Sequence, residues 1–201
     1  MIEKLANGMT LFYIKNNYIS RMDINSYKYG FEILLSTVCN IVLAAAISIL
    51  FKSLFEALFY LAAFISVRIV GGGYHAKTHK SCIFIFSSAF FSACLIIKLM
   101  VDSIIPLFNI FCAILSSLVI WKVAPVEAPN KPLSGTKRKR YEAISLVLGC
   151  LFIVLALISY LTILIPNSIT VHLFLGELTA AFSMIAGSRK RKEEEHENAV
   201  T

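Results

Sequence analysis

Charged side chains are scarce in this sequence. They account for 15% of the 201 residues, whereas about a quarter of an ordinary soluble domain is charged. Hydrophobic residues account for 58%, and the mean hydropathy is +0.76. Because the apolar residues form long blocks and not an amphipathic pattern, they are suited to lipid as the surrounding solvent. The composition therefore excludes an ordinary soluble core and predicts one integral membrane domain.

Clustered cysteines and a cleavable signal peptide are also lacking. The five cysteines, at positions 39, 82, 94, 112 and 150, are scattered, which argues against a disulfide framework. Residues 1–19 carry spaced polar side chains instead of the continuous apolar core of a signal peptide. We predict that residues 1–30 form an amphipathic segment, which either lies in the membrane interface or packs as a cytoplasmic cap.

Six apolar blocks predict an all-α integral membrane protein with six transmembrane helices. The last charge-free run is about 33 residues long, too long for one span of about 20 residues, and Pro166 with Asn167 divides it. The membrane domain then covers residues 31–187, and a charged, solvated cytoplasmic tail covers residues 188–201. The predicted spans are Phe31–Phe51, Ser53–Val70, Cys82–Val101, Ser103–Val123, Ala143–Ile165 and Ser168–Gly187.

The basic residues predict how these spans are oriented. A formal net charge of +7 can indicate a nucleic-acid partner, but here the positive residues lie in the short gaps between apolar blocks. All 19 Lys and Arg residues except Lys52 and Lys98 fall on the same side as the N-terminus. Since positive loops stay in the cytoplasm, both termini are predicted to be cytoplasmic, and no nucleic acid is expected as a partner.

Two ionisable residues, His172 and Glu177, fall inside the predicted sixth span. Ionisable side chains at such a depth are costly and face either the bundle interior or a cavity. Glu177 therefore either lines a path for a peptide or forms a hydrogen bond to a neighbouring span.

The most informative segment, residues 67–82, joins the second and third spans and contains three consecutive glycines, Gly71, Gly72 and Gly73. Glycine permits backbone conformations that other residues avoid and lets another main chain approach closely. In a binding site such glycines can also expose N–H donors for a developing oxyanion. The alternative is a flexible turn with no role in binding.

A cysteine and a histidine in this segment, Cys82 and His75, suggest a thiolate–imidazolium pair. Only the thiolate attacks well, and free cysteine has a pKa of about 8.5. The charges of Arg68, Lys77 and Lys80, together with the start of a helix at Cys82, would favour the ionised form. An unbroken helix would separate positions 75 and 82 by about 10.5 Å, whereas proton transfer needs about 3 Å. We therefore predict a turn or a partial unwinding between them.

The residues alone leave other interpretations open. His79 is a rival base, because residues three apart are neighbours on a helix. His75, His79 and Cys82 could instead be three ligands of a catalytic zinc ion, although this spacing is a weak metal signature. The segment could also be a purely structural loop.

The same segment resembles the AgrB family of membrane peptidases in Gram-positive quorum sensing. A second stretch, Ala-Pro-Val-Glu-Ala-Pro-Asn-Lys-Pro-Leu over residues 124–133, looks like the family's loop between spans four and five. The resemblance covers nearly the whole chain, including its length and its six spans. The residues that carry it in the first segment are Arg68, Gly71 to Gly73, His75, Ala76 and Cys82, and the element Tyr29-Gly30-Phe31-Glu32 before the first span is similar as well.

The resemblance implies a cysteine endopeptidase with Cys82 as the nucleophile and His75 as the assisting base, without a metal or other cofactor. Its partner would be an AgrD-like propeptide, cut at the cytoplasmic membrane face through an acyl-enzyme thioester. The peptide's own Cys or Ser would then displace the enzyme and close a thiolactone or lactone ring. A homodimer is a further hypothesis, by analogy with common two-fold assemblies.

Residues expected to bind the substrate are Arg68, Gly71, Gly72, Gly73 and Lys131. For Arg68 the alternative is an orienting residue whose charge extends towards water. Two other classes of protein compete with the peptidase. One is a small membrane exporter that does not cut its peptide and would depend on Glu56, His172 and Glu177, and the other is a non-catalytic membrane scaffold. Membrane lipid is a partner in each case.

Overall fold

Seven α-helices make up the part of the chain that the structure describes. A computed structural model describes residues 2–16, 18, 24–74, 78–127, 134–162 and 165–200. A 3-10 turn over Asp102–Ile104 precedes the fifth helix. The helices are α1 (Ile2–Lys15), α2 (Ile24–Phe51), α3 (Leu54–Gly71), α4 (His79–Leu99), α5 (Ile105–Val123), α6 (Gly135–Leu161) and α7 (Asn167–Val200).

Six of these helices, α2 to α7, are long and apolar enough to cross a membrane, which confirms the predicted all-α fold with six spans. The break predicted at Pro166 and Asn167 is also confirmed, because α6 ends at Leu161 and α7 begins at Asn167. Proline cannot continue a helix from the preceding turn but is tolerated at its start. The orientation of the termini stays a prediction.

The helices extend beyond the apolar blocks at several ends. Helix α2 begins at Ile24 and its membrane span at Tyr27, inside the segment predicted as amphipathic. Helix α6 includes the basic run from Lys137 to Arg140, and α7 continues through the charged tail to Val200. Lys, Arg and Glu are good helix formers in water. A change from apolar to charged residues therefore marks a change of solvent and not the end of the helix.

Helix α7 lies at the centre of the bundle. In the apolar stretch of α7, 56% of the residues are buried inside the protein, whereas the figure for the apolar stretch of α2 is 17%. Both hydrophobic clusters of the core include α7 residues: Val171 and Leu175 lie in one, and Phe174 and Met184 in the other. Helices α3 and α5 form its main neighbours. The C-terminal end of α3 is thereby held against α7.

Gly176 sets how closely α7 approaches α3. A Cβ atom at this position would lie 2.9 Å from the carbonyl carbon and 3.0 Å from the Cα of Tyr60, and it would overlap the Tyr60 carbonyl oxygen. These are backbone atoms, so neither can turn aside as a flexible side chain would. Any side chain at position 176 must separate the two helices.

Gly176→Ala should therefore destabilise the protein, although alanine is the better helix former. We expect a loss of roughly 1–3 kcal/mol from overpacking, seen as a lower thermal unfolding midpoint in detergent. Gly8→Ala in α1 is the matched control, because nothing lies within 4 Å of a Cβ there and the substitution should be neutral or stabilising. Equal midpoints for the two variants would contradict this account of the α3–α7 contact.

Glu177 connects three helices in the interior. Its side chain is fully buried, and its Oε1 lies 3.4 Å from the hydroxyl oxygen of Ser117 on α5. The same hydroxyl donates to the carbonyl of Gly149 on α6, at 3.0 Å. Of the two roles that the sequence left open, a hydrogen bond to a neighbouring span is the one observed. His172 is also buried, and its Nδ1 lies 2.6 Å from the carbonyl oxygen of Ser168.

Candidate active site

The end of α3 depends on two glycines in left-handed conformations. Gly72 has φ of 71° and Gly73 has φ of 141°, values that residues with a side chain rarely adopt. The N–H of Gly72 donates to the carbonyl of Arg68 at 3.1 Å and closes the last turn of the helix. The backbone from Gly72 to Tyr74 therefore leaves the helix along a defined path.

The space that the three glycines leave open is occupied by the protein itself. A Cβ at Gly71 would lie 2.7 Å from the sulfur of Met184, and a Cβ at Gly72 would overlap the carbonyl oxygen of Val126. A Cβ at Gly73 would overlap the guanidinium of Arg68. Close packing within the chain thus accounts for all three glycines, and their contact with a substrate stays a prediction.

Arg68 points its guanidinium into this segment. Its Nη1 donates to the hydroxyl of Ser183 at 2.9 Å and to the carbonyl of Gly72 at 3.3 Å. Its Nη2 donates to the carbonyl of Tyr74 at 3.3 Å. A half-buried side chain with three internal acceptors does not extend towards water, so the orienting role alone does not describe it. Arg68 fixes the backbone that follows α3.

The two sequence motifs meet at this point. Gly72 and Val126 form a parallel bridge, and the N–H of Val126 donates to the carbonyl of Gly71 at 2.8 Å. The family-like stretch after α5 therefore begins against the glycine segment. Its remaining residues, 128–133 with Lys131 among them, lie outside the described residues.

Cys82 lies in the first turn of α4. Thr78 caps this helix in an extended conformation, its hydroxyl accepts the N–H of Ser81 at 3.2 Å, and its carbonyl accepts the N–H of Cys82 at 3.1 Å. The non-helical Thr78 confirms the predicted interruption between positions 75 and 82. A sulfur at a helix N-terminus is close to unpaired N–H groups and the positive end of the dipole, which stabilise an anion.

Cys82 is also distinguished from the other four cysteines. Its half-buried side chain is close enough to Arg68 for their charges to interact. Cys94 and Cys112 are buried inside spans, Cys39 lies within α2, and Cys150 is exposed in the middle of α6. Cys82 alone combines a helix start with a nearby cation.

The partner of this sulfur is not among the described residues. His75 lies in the undescribed stretch 75–77, and for His79 the structure describes the backbone, at the first position of α4, but not the side chain. The Cys82–His75 pair therefore stays a prediction, as do the rival base His79 and the zinc alternative.

Comparison with known proteins decides the family. The model of Accessory gene regulator B, AgrB, matches residues 6–184. The chain belongs to the AgrB family. Together with the six apolar helices, this membership makes it a multi-pass membrane protein and supports a role in the accessory gene regulator system of quorum sensing.

Individual relatives agree with this assignment. An AgrB-like protein of Clostridium perfringens strain SM101 is 27% identical over 124 residues, which cover 56% of this chain and 55% of that protein. The chain thus spans about half the length of that relative. An AgrB-like protein of Clostridium beijerinckii is 26% identical over 176 residues, which cover 87% of this chain and 86% of that protein. No solved structure matches the chain.

Sequence reasoning missed the contribution of α7 to this AgrB site. Ser183 bonds to both Arg68 and Tyr74, Gly187 lies directly against Gly73, and the Lys190 ammonium lies 5.6 Å from the centre of the Tyr74 ring. Small residues near the end of an apolar span give no local signal of such a role. Only the packing of α3 against α7 reveals it.

Proposed function

We propose that this AgrB-family protein is a membrane cysteine endopeptidase that removes the C-terminal part of an AgrD-like propeptide and promotes ring closure. The observation that carries the proposal is the placement of Cys82. Its sulfur lies in the first turn of α4, within charge-interaction range of an arginine that is fixed by three hydrogen bonds. The thiolate is the nucleophilic form of cysteine, and in this proposal it is the form of Cys82 that reacts.

The first half of the reaction forms a thioester. The Cys82 thiolate attacks the carbonyl carbon of the scissile peptide bond, and the resulting tetrahedral oxyanion collapses as the C–N bond breaks. His75, as the imidazolium, gives its proton to the leaving nitrogen, so the C-terminal fragment departs with a free amino group. The N-terminal part stays attached to Cys82 through its new C-terminal acyl group.

The second half transfers that acyl group within the peptide. The thiol of the peptide's own cysteine (or the hydroxyl of a serine) loses its proton to His75 and attacks the thioester carbon. The Cys82 thiolate leaves, and the thiolactone or lactone closes without consumption of water. Correct placement of an intramolecular nucleophile can contribute about 7–11 kcal/mol, provided that the site excludes water as a competitor.

Arg68 contributes to this site as a fixed positive charge and as a clamp on the glycine segment. Its planar guanidinium supplies donors in two directions at once, whereas a lysine ammonium on a flexible stem acts as a point charge. The charge stays near Cys82 because Ser183, Gly72 and Tyr74 hold the side chain.

Arg68→Lys should therefore lower the rate of propeptide cleavage by about 10-fold or more, because lysine keeps the charge but loses the geometry. The measurement is the fraction of coexpressed propeptide that is cut over time. Arg140→Lys is the matched control, since Arg140 is an exposed arginine on α6. Normal cleavage by Arg68→Lys would show that any positive charge suffices at position 68.

Two further parts of the proposal concern the role of Lys131 and the side of the membrane on which the reaction takes place. We propose that Lys131 binds an acidic part of the propeptide and that the reaction occurs at the cytoplasmic face. The support is that residues 124–127, which lead into the Lys131 loop, adjoin the glycine segment. If Lys131→Ala leaves both the cleavage rate and its salt dependence unchanged, this lysine has no part in capture of the substrate.

The proposed function is tested by coexpression with a candidate propeptide that has a central cysteine. A cyclic product has a mass lower by one water than the linear N-terminal fragment, so mass spectrometry distinguishes cyclisation from hydrolysis. Intact propeptide accumulating outside the cell would instead identify an exporter. Intact propeptide retained at the membrane would identify a non-catalytic scaffold.

A further inference from the structure

We propose that Ser183 of α7 is the positioning residue of the active site, because it binds both the guanidinium of Arg68 and the backbone of Tyr74, which directly precedes His75. This inference rests on the proposed function. Its hydroxyl accepts from Arg68 Nη1 at 2.9 Å and lies 3.2 Å from the Tyr74 nitrogen. Its carbonyl accepts the N–H of Tyr74 at 2.8 Å. One residue thus binds both Arg68 and Tyr74 from outside the catalytic segment.

The hydrogen-bonding capacity of serine suits this role. A hydroxyl oxygen has two acceptor positions, which match the Arg68 guanidinium and the Tyr74 N–H, a single donor that the hydroxyl shares with the carbonyl of Ser183. The carbonyl oxygen also has two lone pairs, so it can accept from Tyr74 in addition to the N–H of its own helix. Alanine at position 183 would keep the carbonyl bond and lose both contacts of the hydroxyl.

Gly187, one turn further along α7, makes room for the same segment. A Cβ at this position would lie 2.6 Å from the carbonyl carbon of Gly73 and 2.7 Å from the nitrogen of Tyr74. Residues four apart share one face of a helix. Ser183 and Gly187 therefore form a shallow depression on the surface of α7, into which Gly73 and Tyr74 fit. The Ser183 hydroxyl lies at one end of this depression, and the other end is open because Gly187 has no side chain.

Contact with this depression links α7 to the proposed catalytic residues in two ways. Tyr74 directly precedes His75 in the chain, so the position of its backbone limits where the imidazole can be placed. Arg68, held by the same hydroxyl, is close enough to Cys82 for an electrostatic interaction between the two side chains. Ser183 itself touches neither the reacting sulfur nor, in this proposal, the substrate, so it acts through its neighbours.

The test uses the full-length protein in lipid nanodiscs with a synthetic propeptide. Ser183→Ala should lower kcat by about 10- to 100-fold, the effect of losing a hydrogen bond to a charged group, while KM stays within about twofold because no substrate contact is lost. Ser183→Thr, which retains the hydroxyl, should restore most of kcat. Ser168→Ala, at an exposed position near the start of the same helix, is the control and should match the wild type.

A second readout needs no propeptide. The rate at which iodoacetamide alkylates Cys82, followed at that peptide by mass spectrometry, should fall in Ser183→Ala, because Arg68 loses the hydrogen bond that holds it in place. A wild-type protein that alkylates normally but cuts no propeptide would refute the proposed function alone. Equal kcat and equal Cys82 alkylation in wild type and Ser183→Ala would refute the positioning role alone. A higher KM with an unchanged kcat in Ser183→Ala would also refute the positioning role, because that pattern indicates a lost substrate contact.

Discussion

Replacing Cys82 by alanine should abolish propeptide cleavage, with a loss of at least about 10³-fold in rate. The nucleophile is the one group in the proposed reaction that no neighbour can replace, since both the acyl transfer and the ring closure pass through its sulfur. Coexpression with the propeptide, followed by mass spectrometry, should show only intact precursor. The protein itself should accumulate at the wild-type level, because the half-buried side chain contributes little to the core.

Two further variants sharpen this result. Cys150→Ala removes an exposed cysteine on α6 and should cut like the wild type, which separates catalysis from general thiol effects. Cys82→Ser should be nearly inactive, because a hydroxyl is a far weaker nucleophile at neutral pH. Cleavage by Cys82→Ala at a rate near the wild type would remove the peptidase proposal entirely.

His75→Gln should lower the cleavage rate by about 10²- to 10⁴-fold, the usual contribution of a general acid–base group, and His79→Gln should lower it by no more than a few fold. Both histidines are close to Cys82 in sequence. The family resemblance selects His75, whereas helical neighbourhood selects His79, three residues before Cys82 and at the first position of α4. The cleavage rates of His75→Gln and His79→Gln, measured at equal expression levels, show which of the two histidines is the base.

The outcome of this pair also bears on the zinc alternative. If both variants lose activity and added zinc chelator abolishes wild-type cleavage, the two histidines are ligands and the dyad is wrong. If only His79→Gln loses cleavage activity, the base is His79, and the assignment of His75 carried over from the family is wrong. A chelator-insensitive wild type with a selective loss at His75 supports the dyad.

The spans could be predicted from the sequence because lipid imposes a simple requirement on composition. About 20 consecutive apolar residues are needed to cross the hydrocarbon layer, and Pro166 marks the one division that composition alone did not show. Helix ends were less predictable. The α7 helix passes Gly187 and continues to Val200, since its hydrogen bonds are internal and persist equally well in water.

Only the part of the candidate site that lies in one short, recognisable sequence motif could be predicted. Three glycines before a histidine and a cysteine stand out in a sequence with only 9 glycines. Ser183 is one of many small residues in apolar spans, and its position opposite Arg68 results from how α3 crosses α7 at Gly176. Such a tertiary contact, 115 residues apart in the chain, leaves no trace in the spacing of either segment.

The uninterrupted length of α7 determines the depth at which catalysis would take place. Its 34 residues amount to about 51 Å at 1.5 Å each, well beyond a hydrocarbon thickness of about 30 Å. With Asn167 at one edge of that layer, Ser183 lies about 24 Å along the helix axis, just short of the opposite edge. A peptide freely dissolved in water would have to pass through the headgroup region to be cut, so a peptidase with its site at this depth would act on peptides already adsorbed to the bilayer and spare soluble ones.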